Sequence, residues 1–526
     1  MFIDVKKEII NKLIDEKARN RADFRRVVAS VYRDDNTSGY HSNIDLRVTY
    51  NEMILAEEIE PDKSIEKLLM TKKMRSLSGV SVVTVLTKPY PCPGRCIYCP
   101  SLADVPKSYL PDEPAVMRAI LCEYDAKRQV EARLKSLAKQ GHPVDKVELI
   151  IIGGTFSHLP RDYQESFVKS CFDALNGKIS KDLPIAKELN ESAKSRCVGL
   201  TLETRPDHIT EEEVFWFRYL GATRVELGVQ TVFDDVLKLN NRGEAVENTV
   251  KATKLLKDAG FKICYHLMPN LYGSNLARDK EMFHTVFHDP RFRPDYIKIY
   301  PCMVMKETPL FQLWQKGKYK SYSDVELIEL ICDVKKMVPR WIRIMRTIRD
   351  IPAVNIQSGS KMSNMRQVIL TRAINEGWSC NCIRCREVGA SSSPRTDTEH
   401  KLYVEEYEAS SGKEYFLSFE DQERKCLYSL LRLRFPEKSK NATIPELADC
   451  ALIREVHTYG QQVEIGESGE NQHRGLGRKL IAEAEKIAIE NGYKKIAVIS
   501  GIGVRSYYSK FGYELVGEYM VKTLDL

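Results

Sequence analysis

Cys92-Pro93-Gly94-Arg95-Cys96-Ile97-Tyr98-Cys99 decides how the rest of the chain is read. The three thiols stand four and three positions apart, on a loop entered through Pro89 and Pro91 and carrying Gly94. Thiolates so close can hold three corners of an iron–sulfur cube. The fourth iron then has no protein ligand and is open to a cofactor or substrate. The alternative, a zinc knuckle, wants four ligands, and no fourth lies nearby.

Working outward, the β-rich run 81–86 leads straight into this loop. Similar runs follow at 147–152, 198–202, 224–229, 262–267, 297–300 and 341–346. Helical stretches separate them. One spans 210–219, with Thr210 and Glu213 as a capping box and Gly221 as its stop; another spans 245–259 and ends at Gly260. Repeated strand–helix units predict a parallel sheet, a full or partial βα barrel over 76–349, whose chemistry gathers at the C-terminal strand ends. Those ends carry the cysteine loop, Gly153-Gly154-Thr155, Glu203-Thr204-Arg205, Gln230 and Met268-Pro269 in turn. Gly153 and Gly154 suit a close backbone approach to a ligand. Glu203, Arg205 and Gln230 could hydrogen-bond it, or simply pair with one another at the rim.

The flanks differ. Residues 1–75 read as helical and basic, with Lys12, Lys17, Arg19, Arg21, Arg25, Arg26 and Arg33 around Phe24 and Tyr32, and a second cluster at Lys72, Lys73 and Arg75. Such a face suits a nucleic-acid backbone and exposed bases, or is a solvated helix face. Residues 350–400 read as a linker containing Cys380, Cys382 and Cys385, which could bind zinc if Cys302 or His400 folds back. From 401 onward, strand-like runs at 415–419, 425–434 and 450–456 precede Gln472-His473-Arg474-Gly475-Leu476-Gly477-Arg478. Glycines there bare the first amides of a helix, which bind phosphate.

At 526 residues, with 43% hydrophobic and 29% charged residues, the chain should fold as several globular domains. A net charge of +7 leaves nucleic-acid binding to local patches. Fourteen cysteines without a leader sequence or membrane-length run point to metal rather than disulfides, and to the cytoplasm.

The C-x3-C-x2-C spacing, with an aromatic before the last cysteine, resembles the signature of the radical S-adenosylmethionine (SAM) enzymes. The Q-x-x-G-x-G segment between a strand and a helix resembles the pyrophosphate loop of the GCN5-related N-acetyltransferases (GNAT). Together the two resemble the catalytic subunits of Elongator, which modify wobble uridines of tRNA. Matches include Tyr98-Cys99-Pro100, Glu203-Thr204-Arg205-Pro206-Asp207, Tyr319-Lys320-Ser321-Tyr322, Arg386-Glu387-Val388-Gly389 and Tyr519-Met520-Val521-Lys522. The tight cysteine spacing is similar to that of archaeal and bacterial members, which implies action without other Elongator subunits.

The resemblance implies a 4Fe–4S cluster on Cys92, Cys96 and Cys99, with SAM on its open iron. It implies a radical-SAM partial barrel followed by a GNAT domain, behind a helical basic tRNA-binding region. It assigns Lys146 and Tyr508 to acetyl-CoA, the strand Glu455-Val456-His457-Thr458 to its pantetheine, and Leu476-Gly477-Arg478 to its pyrophosphate. Two loops depart from the family pattern: Met268-Pro269-Asn270-Leu271-Tyr272 replaces M-P-x-L-P, and Arg242-Gly243-Glu244 replaces R-G-H. The implied reaction takes a hydrogen atom from the methyl of acetyl-CoA, adds the carbon to uridine C5 in the anticodon loop, and hydrolyses the thioester to a carboxymethyl group. A protein lysine acetyltransferase with a structural cluster, and a tRNA-binding scaffold active only through partners, are the other readings.

Overall fold

The computed structural model describes residues 4–34, 41–70, 78–388, 400–437, 444–460 and 475–525. The alternating run Ser81-Val82-Val83-Thr84-Val85-Leu86 forms β1 (Ser81–Leu86). It is joined by β2 (Lys146–Ile152), β3 (Arg196–Thr204), β4 (Arg224–Gln230), β5 (Lys262–Leu267) and β6 (Tyr296–Ile299). A short β7 (Val304–Met305) intervenes before β8 (Arg343–Arg346) and pairs instead with β9 (Ile356–Ser358). The main sheet is parallel throughout, in the order β1-β2-β3-β4-β5-β6-β8. Spatial order follows chain order, so every crossover turns the same way and the sheet curls into a partial barrel. Beyond β8, Arg349 reaches back to the segment that follows β1, with Nη2 2.7 Å from Glu113 Oε1 and Nη1 donating to Ser108 Oγ at 3.2 Å.

Thr210 caps helix Glu211–Tyr219 by accepting from the Glu213 amide at 3.2 Å, but only half of the expected capping box forms. The Glu213 carboxylate turns to Arg161, whose Nη1 lies 3.1 Å away. Helix Val246–Asp258 ends before Gly260, which takes φ +85°. The 350–400 stretch, expected as a linker, is folded where it is described. Helix Met365–Asn375 buries Met365 and Ile369 in the barrel's own core, because its apolar residues repeat at helical spacing.

The C-terminal sheet comprises β10 (Lys401–Ala409), β11 (Gly412–Glu420), β12 (Leu427–Phe435), β13 (Cys450–Thr458), β14 (Lys495–Val498), β15 (Glu514–Val516) and β16 (Tyr519–Thr523). Its order is β10-β11-β12-β13-β14-β16-β15, antiparallel except for β13 against β14. Helix Leu476–Glu490 packs Leu480, Ile481, Ala484 and Ala488 on this sheet. β14 covers β13 only over 450–453, so 454–458 present an edge that β14 does not pair.

Four N-terminal helices, Val5–Asp15, Arg21–Asp34, Asn43–Leu55 and Lys63–Leu69, close on a small core of their own. Phe24 belongs to that core, and the Tyr32 hydroxyl accepts from the His41 amide at 2.8 Å. Neither aromatic is the exposed base-stacking group that the sequence suggested; Arg25 and Arg33 are exposed. Lys72, Lys73 and Arg75 lie outside the described residues. Among the described residues, no helix is long and apolar enough to cross a membrane.

The C-terminal sheet docks on the end of the barrel where the strands begin. The barrel core continues into Leu452, Ala497, Ile499, Ile502 and Tyr519. Gly501 lies so near the Val198 backbone that a Cβ would sit 2.2 Å from its carbonyl oxygen. Arg454 spans the junction. Its Nη2 is 2.5 Å from Asp295 Oδ2 and donates to Phe261 O at 2.7 Å, and its Nη1 is 2.9 Å from Glu414 Oε2. Arg454, Lys257 and Arg432 hold the Asp295 carboxyl well below the usual range although burial opposes it. Asp295→Ala leaves these cations uncompensated, and urea unfolding should show a loss of about 3–5 kcal/mol. Asp295→Leu combined with Arg454→Met should cost less than Asp295→Ala alone; an equal or larger loss would assign the stability to packing rather than charge.

Candidate active site

The loop after β1 opens on a cavity of about 580 Å³ at the C-terminal strand ends, and Cys92, Cys96 and Cys99 all line it. A hydrogen bond with Cys99 and the nearby Arg242 guanidinium bring the Cys96 thiol down to about 4 against the effect of burial, while sharing that proton drives Cys99 upward. Arg242 Nη1 is 3.7 Å from Cys96 Sγ. Arg205 is locked by Asp207 through Nε (2.8 Å) and Nη2 (2.7 Å), which leaves its buried Nη1 without a partner. Gly94 packs against that Nη1, and a Cβ there would lie 2.6 Å from it. Three thiols, one readily ionised, beside an unpartnered cationic donor fit an anionic thiolate-held cluster.

Gly154 (φ +93°), Glu203 and Gln230 line the same cavity. Gly153 is not among the residues that line it. At φ +145° its missing side chain makes room for Thr87, whose Oγ1 would lie 2.0 Å from a Cβ. Glu203 accepts from the Tyr109 hydroxyl at 2.8 Å and faces His266 Nδ1 at 3.6 Å. Deeper in the lumen, buried Glu226 pairs with Lys298 and, at 2.8 Å, with His266 Nε2. The sequence reading passed over His266 and Lys298, although polar residues inside otherwise apolar strands were the available signal.

Both departing loops are supported from within. The Asn270 amide donates to Asp279 at 2.6 Å, the Tyr319 hydroxyl donates to Asn270 O at 2.8 Å, and the Tyr322 hydroxyl donates to Asp279 at 2.6 Å. Glu244 Oε1 accepts from Arg242 Nε at 2.5 Å, and burial raises its carboxyl to about 7.

A second cavity, about 770 Å³, lies at the opposite end of the barrel, under the uncovered edge of β13. Lys146, Glu455, Val456, His457, Thr458, Gly475, Leu476, Gly477, Arg478 and Tyr508 line it together. Gln472 lies outside the described residues. Burial lowers the Lys146 ammonium and raises the Tyr508 hydroxyl, which therefore stays protonated. The Glu455 carboxylate is taken by Tyr296 and by Arg432 Nε at 2.8 Å, so only its backbone is left for a ligand. His457 Nε2 meets Ser78 O at 2.6 Å. Leu476 is buried in the domain core. A Cβ on Gly477 would come 2.8 Å from the Tyr507 hydroxyl, so no side chain fits between loop and tyrosine. Arg224, Lys262, Tyr296 and Arg343, at the starts of barrel strands, also face this cavity and were not anticipated.

Residues 90–286 match the Radical SAM superfamily, and residues 294–374 match the Radical_SAM C-terminal domain. The tRNA uridine(34) acetyltransferase of Methanocaldococcus jannaschii is 47% identical over 90% of this chain and 90% of its own length. The chain belongs to the tRNA uridine(34) acetyltransferase family. Another member, from Dehalococcoides mccartyi, is 48% identical over 87% of this chain and all of its own, and human Elongator complex protein 3 is 41% identical over 87% and 86%. The solved structure of archaeal Methanocaldococcus infernus Elp3 with its N-terminus deleted superposes with a TM-score of 0.76 at 44% identity, covering 85% of this chain and all of that one. The radical SAM domain implies a 4Fe–4S cluster and SAM.

Two features of this tRNA uridine(34) acetyltransferase family chain complete the site. Val82, Glu148, Met345 and Arg384 line both cavities, so these four side chains form the neck, the boundary that the two cavities share inside the barrel. Cys380, Cys382 and Cys385 bring their sulfurs within 4.8 Å of one another, and Lys335 Nζ stands 3.3 Å from Cys385 Sγ. Neither candidate fourth ligand is there: Cys302 is buried in the core cluster that holds Cys96 and Tyr98, and the His400 ring lies tilted against Tyr428, centroids 4.2 Å apart. The two glycines after β2 should behave differently when changed. Gly153→Ala is expected to destabilise the fold by more than about 1 kcal/mol in thermal unfolding, and by more than Gly154→Ala, whose Cβ meets only Lys107 O at 3.5 Å; the reverse order would return Gly153 to a ligand role.

Proposed function

We propose that the chain installs a carboxymethyl group at C5 of the wobble uridine of tRNA, taking both carbons from acetyl-CoA. The observation that supports this reading is the neck: the thiol-lined cavity and the cavity under the β13 edge share one boundary in the barrel. Cys92, Cys96 and Cys99 hold the cluster. Gly154, Glu203 and Gln230 face SAM, with Arg205 offering its unpartnered Nη1. Bound there, cluster and SAM supply hydrogen-atom abstraction from an unactivated methyl group.

The chain's own residues bind, orient and exclude water. The uncovered edge of β13 at 455–458 pairs with the pantetheine amides. The start of helix Leu476–Glu490, with Gly475, Gly477, Arg478 and the Gln472 segment, takes the pyrophosphate. The protonated Tyr508 gives a proton to the departing CoA sulfur, and Lys146 contacts the thioester. Lys107, Arg118, Arg133 and Arg346 line the first cavity and suit the phosphates of an anticodon loop, whose bases unstack readily. The N-terminal helices extend that tRNA surface through Arg25 and Arg33. One chain forms both cavities, which supports action without other Elongator subunits, and a tRNA substrate fits the cytoplasm.

Cys380, Cys382 and Cys385 supply three of the four ligands of one zinc ion, with Lys335 offsetting the negative charge of the thiolates. The anaerobically purified chain should contain about one zinc besides iron, and Cys382→Ser should lose the zinc while keeping the iron; zinc retained in that variant would assign it elsewhere.

The function is tested by mass spectrometry of tRNA nucleosides after anaerobic incubation with SAM, acetyl-CoA and a reductant. Carboxymethyluridine is expected, and Cys96→Ser should abolish it while tRNA still binds. Unchanged product in that variant rejects the reading. Acetylation of a lysine peptide without SAM or reductant, and without change to tRNA, would favour a protein acetyltransferase.

A further inference from the structure

Four residues form the neck between the cavities, and two of them are charged. Glu148 is already paired with Arg224. Arg384 donates Nη1 to Met345 O at 3.1 Å and makes no ion pair among the described residues. We infer that Arg384 binds the acyl oxygen of the thioester, and then the product carboxylate, in the neck, and that the three-cysteine knuckle fixes it there. This rests on the proposed carboxymethyl transfer.

The placement follows from the two cavities. With CoA in one and the reacting methyl turned into the other, the thioester carbonyl must lie between them, where Arg384 stands. A guanidinium carries five donors, and Arg384 has committed one. Arg343 beside it is occupied by Glu387 at 2.5 Å. Arg384 is the neck's one cation and has no ion pair among the described residues, whereas Glu148 is held by Arg224. A carboxylate or oxyanion is the ligand that such a place favours.

The knuckle supplies the rigidity. Arg384 lies between Cys382 and Cys385 in the single turn Ile383–Arg386. The Ile383 amide donates to Ile342 O at the entry to β8 (3.0 Å), and the Val388 amide donates to Leu427 O on β12 (2.9 Å). Arg386 Nη1 pairs with Glu420 at 2.7 Å. Three thiols on one metal would therefore hold the Arg384 backbone between the two domains.

The step balances without redox chemistry. Water oxygen bonds to the thioester carbon, the C–S bond breaks, Tyr508 gives its proton to the departing sulfur and takes one back from the attacking water, and the second water proton passes to solvent. Arg384 holds the negative charge that develops on oxygen.

Arg384→Gln and Arg384→Lys test this in the full chain, reconstituted anaerobically with tRNA, SAM, acetyl-CoA and reductant. CoA binding, read by calorimetry, should stay within about twofold of wild type, because phosphate and pantetheine contacts lie elsewhere in the cavity. Carboxymethyluridine should fall about a hundredfold or more in Arg384→Gln, the usual cost of removing one oxyanion donor, with partial recovery in Arg384→Lys. The tRNA from Arg384→Gln should carry a uridine still joined to CoA through the thioester, visible as its mass. Product at the wild-type rate, loss without the CoA-bearing uridine, or loss of CoA binding would each overturn the assignment. Absence of carboxymethyluridine from wild type would instead reject the proposed function itself.

Discussion

Arg432, Arg434 and Arg454 stand side by side on β12 and β13 with their side chains wholly buried. With Lys257 they face Asp258, Asp295, Glu414 and Glu455, four cations against four carboxylates drawn from both domains. Desolvating so many charges is costly, and their mutual attraction offsets that cost only in one arrangement. An apolar junction could slide by a residue; this one cannot without stranding a charge. The second cavity lies between the two domains, so its shape is inherited from this constraint. Glu455 shows the coupling most directly: its carboxylate is held by Arg432 and Tyr296, and its backbone borders the cavity.

A parallel barrel normally places its chemistry at the C-terminal strand ends and leaves the other end to stability. Here both ends carry a cavity. Lys146, Arg224, Lys262 and Arg343 start their strands and line the second cavity, while the cysteine loop and the Glu203 and Gln230 positions occupy the mouth. The lumen between them is polar where a packed barrel would be filled by branched apolar side chains. Glu226, His266 and Lys298 satisfy one another there, which keeps the interior open without leaving lone charges.

The sequence was most legible where the chemistry or the period is local. Cysteine spacing, seven β-rich runs and the helix opening at Leu476 each depend on a few neighbouring residues, and each stands where the reading put it. What depends on distant partners was not legible. Gly153 looks like a ligand-facing glycine until Thr87 is seen against it. Glu213 looks like half of a capping box until Arg161 takes it. Phe24 among arginines reads as a stacking platform, but its helix turns it inward. Charged residues inside the barrel strands were visible in the sequence, yet only the curled sheet shows that they converge.

The neck answers a conflict in the proposed chemistry. Abstracting hydrogen from a methyl group requires that water be kept away from the reacting carbon, whereas releasing the product from CoA requires water at the adjacent carbonyl. In a single open pocket each step would spoil the other. With the methyl on one side of the neck and the sulfur on the other, the carbonyl is the only acyl atom at the boundary. In the proposed reaction the first cavity excludes water behind its substrate while water reaches the carbonyl from the second cavity. A partial barrel with a second domain at its base can provide this separation, because two cavities meet at one boundary inside the lumen. A closed barrel packed with branched side chains has no such boundary, and polar residues on β4, β5 and β6 occupy the lumen here instead.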